Sequence, residues 1–234
     1  MVTDRQKRIL DLIIKEYSRK GEPISSRELC EKNFPDLSPA TIRHDLFELT
    51  KSGYLIQPHT SAGHIPSNKS YKWFVKEILE NENKIVSQSE QWQKKVGPLA
   101  DWHENFVFQS ARMIADFCEG LGVGYSAESG AVYKTGLKNL FSHLAGISLM
   151  EVNQILEDIE FIDERIESVW DELVETERVV FIGKESPITR SDNLSIIARS
   201  LPIKEKSLML LIGPKNMIYE RNLAILEAVA NMLE

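Results

Sequence analysis

The sequence predicts an α+β protein: an N-terminal winged helix-turn-helix, then a helical linker, then an α/β sheet domain. Three observations lead there. Over residues 1–66, three capped amphipathic segments precede two short apolar runs that flank a Pro- and Gly-containing loop. Residues 67–119 carry further helical periodicity. From residue 137 on, helical segments alternate with apolar runs of strand length, two of them closed by glycine.

The elements of the head follow from local chemistry. Thr3-Asp4-Arg5-Gln6 has the pattern of a capping box. Ile9, Leu10, Ile13, Ile14 and Tyr17 then make one apolar stripe, and Gly21 and Pro23 end the helix. Ser25 to Glu28 reads as a second capping box, opening a short helix with Leu29 and Cys30 inward. Phe34-Pro35-Asp36-Leu37 is a turn. Ser38-Pro39 starts a third helix, with Ser as N-cap and Pro at the first helical position. Ile42, Leu46 and Leu49 form its buried stripe, and Gly53 closes it. Tyr54 to Gln57 reads as a strand, Pro58 to Gly63 as a loop, and His64-Ile65 as a returning strand before Pro66.

The face opposite that stripe carries the functional reading. At 100° per residue, Ala40, His44, Phe47 and Lys51 point away from Ile42, with Thr41 and Arg43 on the two flanks. Small, hydroxyl-bearing and donor side chains near a helix N-terminus suit entry into a major groove. Arg donates two bonds to guanine, Thr and Ala meet a thymine methyl, and His donates to an acceptor. Thr41, Arg43 and His44 are therefore the candidates for base edges, with Ala40 beside them. Ser38, Arg27, Lys51, His59, Thr60, Ser61 and His64 are the candidates for phosphate or wing contacts.

Net charge agrees once it is divided. The chain of 234 residues carries a formal −7. Residues 1–76 hold 13 Lys/Arg and 9 Asp/Glu, a net +4, so the acidic excess lies entirely in the remainder. A basic head on an acidic body fits a nucleic-acid module joined to a regulatory or assembly domain. Cys30 and Cys118 are too few and too far apart for a disulfide framework or a zinc site, and both are expected to be buried as small hydrophobes. The longest apolar run, Leu208 to Ile212, is far short of a membrane span, and the polar opening lacks the apolar run of a secretory signal. A cytoplasmic protein with no membrane partner is expected.

The run Ser38-Pro39-Ala40-Thr41-Ile42-Arg43-His44-Asp45-Leu46 and the stretch Gly53-Tyr54-Leu55-Ile56-Gln57-Pro58-His59-Thr60-Ser61-Ala62-Gly63-His64-Ile65-Pro66 resemble the HrcA family of heat-inducible transcription repressors. Gly136-Leu137-Lys138-Asn139-Leu140-Phe141, Phe181-Ile182-Gly183-Lys184-Glu185 and Ile212 to Arg221 resemble that family's second, GAF-like domain. The resemblance implies a dimeric repressor that binds an inverted-repeat operator in double-stranded DNA upstream of chaperone genes. It also implies a link to the GroE chaperonin. Two positions depart from the pattern: His44 stands where the family usually has Asn, and His64 where it has Arg. The chain is also shorter than the pattern. The shortfall is expected between Gly124 and Val132, where the family has the first strands of its GAF-like domain and an inserted dimerising region.

The domain reading is 1–76 for the DNA-binding head, 77–129 for a helical linker or dimerisation region, and 130–234 for the reduced GAF-like domain. Ser67 is expected to cap a helix bearing Tyr71, Phe74, Val75, Ile78 and Leu79, and Ile85 to Lys95 another. The Trp102, Phe106, Ile114 and Phe117 stripe fits either intramolecular core or a dimer seam. Gly120 to Gly124 reads as a turn, since it lacks the Lys-Ser/Thr of a phosphate loop. Leu137–His143, Leu149–Leu156, Ile162–Glu175 and Ile218–Leu233 read as helices; Arg178–Ile182, Leu194–Leu201 and Leu208–Ile212 read as strands. Gly213-Pro214-Lys215 reads as a turn with a surface lysine rather than an anion site. The acidic run Glu157, Asp158, Glu160, Asp163 and Glu164 reads as a solvated helix face. No metal-spaced His cluster, Gly-x-Ser-x-Gly elbow or Walker lysine is present, so no enzyme activity, cofactor or metal is expected. Two other functions fit the same residues: a regulator sensing a small molecule through its GAF-like half, and a chaperone-associated assembly protein that has lost specific DNA binding.

Overall fold

The computed structural model describes residues 2–59, 62–97, 105–144, 146–201 and 206–232. They fall into two compact units, residues 1–77 and 78–234.

The first unit holds α1 (Asp4–Lys20), α2 (Ser26–Asn33), α3 (Pro39–Lys51), a hairpin of β1 (Leu55–Ile56) and β2 (Ile65–Pro66), and most of α4 (Asn68–Leu79). The α1 capping box forms in full: Gln6 N donates to Thr3 Oγ1 and Thr3 N donates to Gln6 Oε1. The α2 box forms by half. Glu28 N donates to Ser25 Oγ, but the Glu28 carboxylate is held by Lys20 at 2.6 Å and Lys32 at 3.0 Å. Two ammonium groups outcompete one backbone N–H for it, and they hold its pKa below the ordinary carboxylate range. The core is Ile9, Leu10, Ile13 and Ile14 of α1 against Leu29, Ile42, Leu46, Leu49 and Tyr71, all buried.

The hairpin is shorter than its sequence signal. Two antiparallel pairs form, Leu55 with Pro66 and Ile56 with Ile65. A third, unexpected segment joins through a bridge between Ile24 and His64, with both backbone bonds made. Gly63 permits this approach: a Cβ there would lie 2.5 Å from the Ile24 carbonyl carbon.

The second unit is a five-stranded antiparallel sheet between helices. Its elements are α5 (Glu82–Val96), α6 (Phe106–Cys118), β3 (Leu121–Ser126), β4 (Ala131–Thr135), α7 (Leu137–Ser142), α8 (Leu149–Glu160), α9 (Ile162–Ser168), α10 (Trp170–Glu175), β5 (Arg178–Ile182), β6 (Leu194–Ser200), β7 (Ser207–Pro214) and α11 (Tyr219–Ala230). The strand order is β4-β3-β7-β6-β5. On one face Val123, Tyr125, Ile196 and Leu210 share a core with Leu140, Ile155, Ile159, Ile166 and Leu173 from α7 to α10. The other face packs on α6 and α11, and α5 packs along α11.

Four expectations change here. The glycine-rich run is not a turn: from Leu121 on it is the buried strand β3, interior to the sheet between β4 and β7. Gly122 and Gly124 face α6 so closely that a Cβ would lie 2.0 Å from Ala111 O and 2.3 Å from Val107 O. The glycines thus serve helix–sheet packing. Strands are present where the shortfall is expected: β3 pairs with β4 from Ser126–Ala131 to Gly122–Thr135, with a short turn between them. The helix expected over Ile162–Glu175 is broken at Val169 into α9 and α10. Asp158 is no part of a solvated face: it is 0% exposed. Arg165 reaches it at 2.9 Å and Arg190 at 2.7 Å, and Arg190 N also donates to it. Two guanidinium groups compensate its desolvation. Ile114 of the aromatic stripe is buried, and Phe117 packs edge-on to Trp92 at 6.1 Å. Trp102 lies outside the described residues.

Both cysteines are buried and free. Burial pushes the Cys118 thiol pKa far up, which leaves it protonated and inert.

Candidate nucleic-acid interface

The outer face of α3 is assembled by what holds its inner face. Ser38 caps it, its Oγ accepting from Thr41 N at 3.1 Å, and Pro39 takes the first helical position. Ile42, Leu46 and Leu49 anchor it to the core. A charged residue outside that apolar stripe does as much. Asp45 on α3 is 1% exposed, and Arg5 from the first turn of α1 clamps it, Nε to Oδ2 at 2.6 Å and Nη2 to Oδ1 at 3.1 Å. Asp45 lies about 60° from Ile42 around the helix, inside the buried arc, and that angle is the sequence signal for its role.

With that face fixed, Ala40, Arg43, His44, Phe47 and Lys51 are all exposed on α3. Thr41 is half-buried, and its hydroxyl lies 2.9 Å from that of Ser38, so these two form one polar pair at the helix start. A cleft of about 440 Å³ opens between α3 and its neighbours. Arg43, Leu46, Phe47 and Thr50 form its α3 side. Ser25 and Ser26, at the start of α2, form a second wall; Gln57 and Ala62 to His64, from the hairpin, form a third. Nothing in the sequence singles out Ser25, Ser26 or Gln57 as lining residues; the packing of α2 on α3 and the folded hairpin bring them beside Arg43.

The other candidates scatter around this cleft. Arg27 is exposed on α2 and paired with Glu31 at 2.7 Å, which raises its pKa further. His59 is exposed at the start of the hairpin loop. Thr60 and Ser61 lie outside the described residues. His64 lines the cleft but is half-buried, and burial lowers its pKa below the ordinary imidazole range. It is therefore neutral near pH 7. Its Nδ1 is buried without a hydrogen-bond partner.

A capped helix with a donor-rich outer face, set beside a two-stranded wing, defines a winged-helix DNA-binding module, here followed by a sheet domain. The LexA DNA binding domain family model matches residues 1–63. The HrcA protein C-terminal domain model matches residues 76–223, and the chain belongs to the HrcA family. It is 40% identical over 112 residues to the heat-inducible transcription repressor HrcA of Lachnoclostridium phytofermentans, covering 48% of this chain and 32% of that protein. It is 49% identical over 78 residues to the protein of the same name from Caldanaerobacter subterraneus, covering 33% of this chain and 23% of that protein. The aligned region thus spans about a third or less of these relatives' length. The fold is shared with the crystal structure of a hypothetical protein, with a TM-score of 0.79 at 18% identity, covering 100% of this chain and 98% of that one. No helix among the described residues is long and apolar enough to cross a membrane.

Proposed function

We propose that this chain is a transcriptional repressor that binds an inverted-repeat operator as a homodimer, in the cytoplasm, and controls heat-shock or chaperone genes. The observation that carries the DNA-binding part is the exposed face of α3: Ala40, Arg43, His44 and Lys51 stand free beside a wing while Asp45 and the apolar stripe lock the opposite face. A dimer places two α3 helices in successive major grooves, and occupancy excludes polymerase. Arg43 and His44 meet base edges, with Thr41 and Ala40 at the helix start. Ser38, Arg27, Lys51, His59, Thr60 and Ser61 meet phosphate or line the wing, with the neutral His64 at its base. The names of the relatives support the class of regulated genes. The homodimer and the functional link to the GroE chaperonin are carried over from the resemblance to the HrcA family.

The test is a titration of inverted-repeat duplex at two salt concentrations. With about six phosphates neutralised, affinity falls about 10³-fold between about 50 and 200 mM salt. A binding constant that stays flat over that range overturns the proposal.

A further inference from the structure

We propose that Phe47 is a specificity-determining residue that reads the 5-methyl group of a thymine, one helical turn beyond the base read by Arg43. The inference rests on the reading of α3 as the recognition helix.

Phe47 is 61% exposed, although it sits in the middle of a well-packed helix. A phenyl ring left in water forgoes most of the free energy that burying it would release. Its neighbours on the same helix face are Arg43 and Lys51, both exposed. Leu46, the residue before it, is already consumed by the core at 1% exposure. The residue lines the cleft together with Arg43, Ser26 and Gln57, which are polar. An apolar side chain among polar ones matches a surface that is mostly polar with one apolar feature.

The major groove has that composition. Guanine, cytosine and adenine edges are read through their donors and acceptors; the thymine methyl is the one apolar group in the code. A phenyl ring brought into the groove by α3 therefore finds favourable contact at an A·T pair and desolvates polar atoms without compensation at a G·C pair. The spacing fixes where. Arg43 and Phe47 are four residues apart, about 6 Å along the axis. Base pairs stack about 3.4 Å apart. The thymine lies within about two base pairs of the guanine that Arg43 contacts.

The experiment uses the full chain and a pool of randomised duplexes. Wild type enriches a half-site with G and T within about two positions of one another. In that site each thymine is replaced in turn by deoxyuridine, which removes only the methyl group. One replacement weakens wild-type binding about fourfold, the worth of one buried methyl. Phe47→Ala binds the parent site about tenfold more weakly and shows no further loss on that deoxyuridine duplex. Phe47→Leu, which keeps an apolar side chain, retains the methyl dependence. Phe47 is exposed, so unchanged melting of Phe47→Ala separates the effect from misfolding. Indifference of wild type to every thymine methyl overturns this inference alone, as does equal binding by Phe47→Ala. Failure of wild type to enrich any sequence overturns the repressor reading and this inference with it.

Discussion

Arg5 Nε lies 2.6 Å from Oδ2 of Asp45, and this pair joins the first turn of α1 to the inner face of α3. Asp45 accepts from Arg5 through both oxygens, with Gln6 Nε2 a further 3.4 Å contact. The carboxylate is buried while the guanidinium is half in water. Its role is orientation: it rotates α3 so that Arg43 and His44 face out. Arg5→Ala leaves a buried carboxylate without its main partner. The melting temperature of the first unit falls by several degrees, and DNA affinity falls with it. Arg5→Ala combined with Asp45→Asn loses less than the sum of the two single changes, because one interaction is removed twice. A thermal-melt double-mutant cycle that is strictly additive refutes this coupling.

Arg43 and Lys51 separate two kinds of contact. Arg43→Ala costs about 1–3 kcal/mol and relaxes preference at one base position. Lys51→Ala weakens binding on all sequences alike and reduces the salt slope by about one. Fluorescence titrations on the selected site and on single-base variants, at several salt concentrations, distinguish the two.

His64 gives a pH dependence of stability. Burial holds its folded pKa below the ordinary imidazole value. The unfolded chain therefore takes up this proton first, near pH 6.5. In the window below that value the unfolded state binds more protons, so stability is full above it and falls as pH drops towards the lower folded pKa. His64→Gln removes this contribution. The urea midpoint of wild type, measured between about pH 7.5 and 5.5, drops more than that of the variant.

Gly122 tests the helix–sheet contact in the second unit. A Cβ there meets backbone rather than a flexible side chain, 2.0 Å from Ala111 O. Gly122→Ala forces α6 away from β3 and costs about 1–3 kcal/mol or more. Gly146→Ala is the control of a different kind: its φ of 79° strains any side chain, but no atom lies within 4 Å. Calorimetry should show the larger loss for Gly122→Ala.

These residues also mark how far the sequence carries. Where one local interaction decides, as at Thr3, Ser38 and the Ile42-Leu46-Leu49 stripe, the cap or helix is legible in the residues themselves. The basic outer face of α3 is legible for the same reason. Glu28 misleads because its competitors, Lys20 and Lys32, are local in space but outside the motif. Gly122 and Gly124 mislead more thoroughly. A glycine that makes room for another backbone looks the same, in one chain, as a glycine that turns. Asp158 follows the charge pattern of its neighbours in sequence, while its environment is set by Arg190, 32 residues away. The cleft beside Arg43 is illegible because Ser25, Ser26 and Gln57 meet through the packing of α2 on α3, the hairpin and the Ile24–His64 bridge.

In the proposed dimer, two copies of α3 occupy successive major grooves of one duplex. Hydroxyl-radical footprinting of the full chain on its selected inverted repeat tests it most directly. Two protected patches are expected on one face of the DNA, centred about 34–36 Å apart, both needing a higher concentration of Arg43→Ala than of wild type to appear. A single patch, or uniform protection that Arg43→Ala gives at the same concentration as wild type, rules out this arrangement.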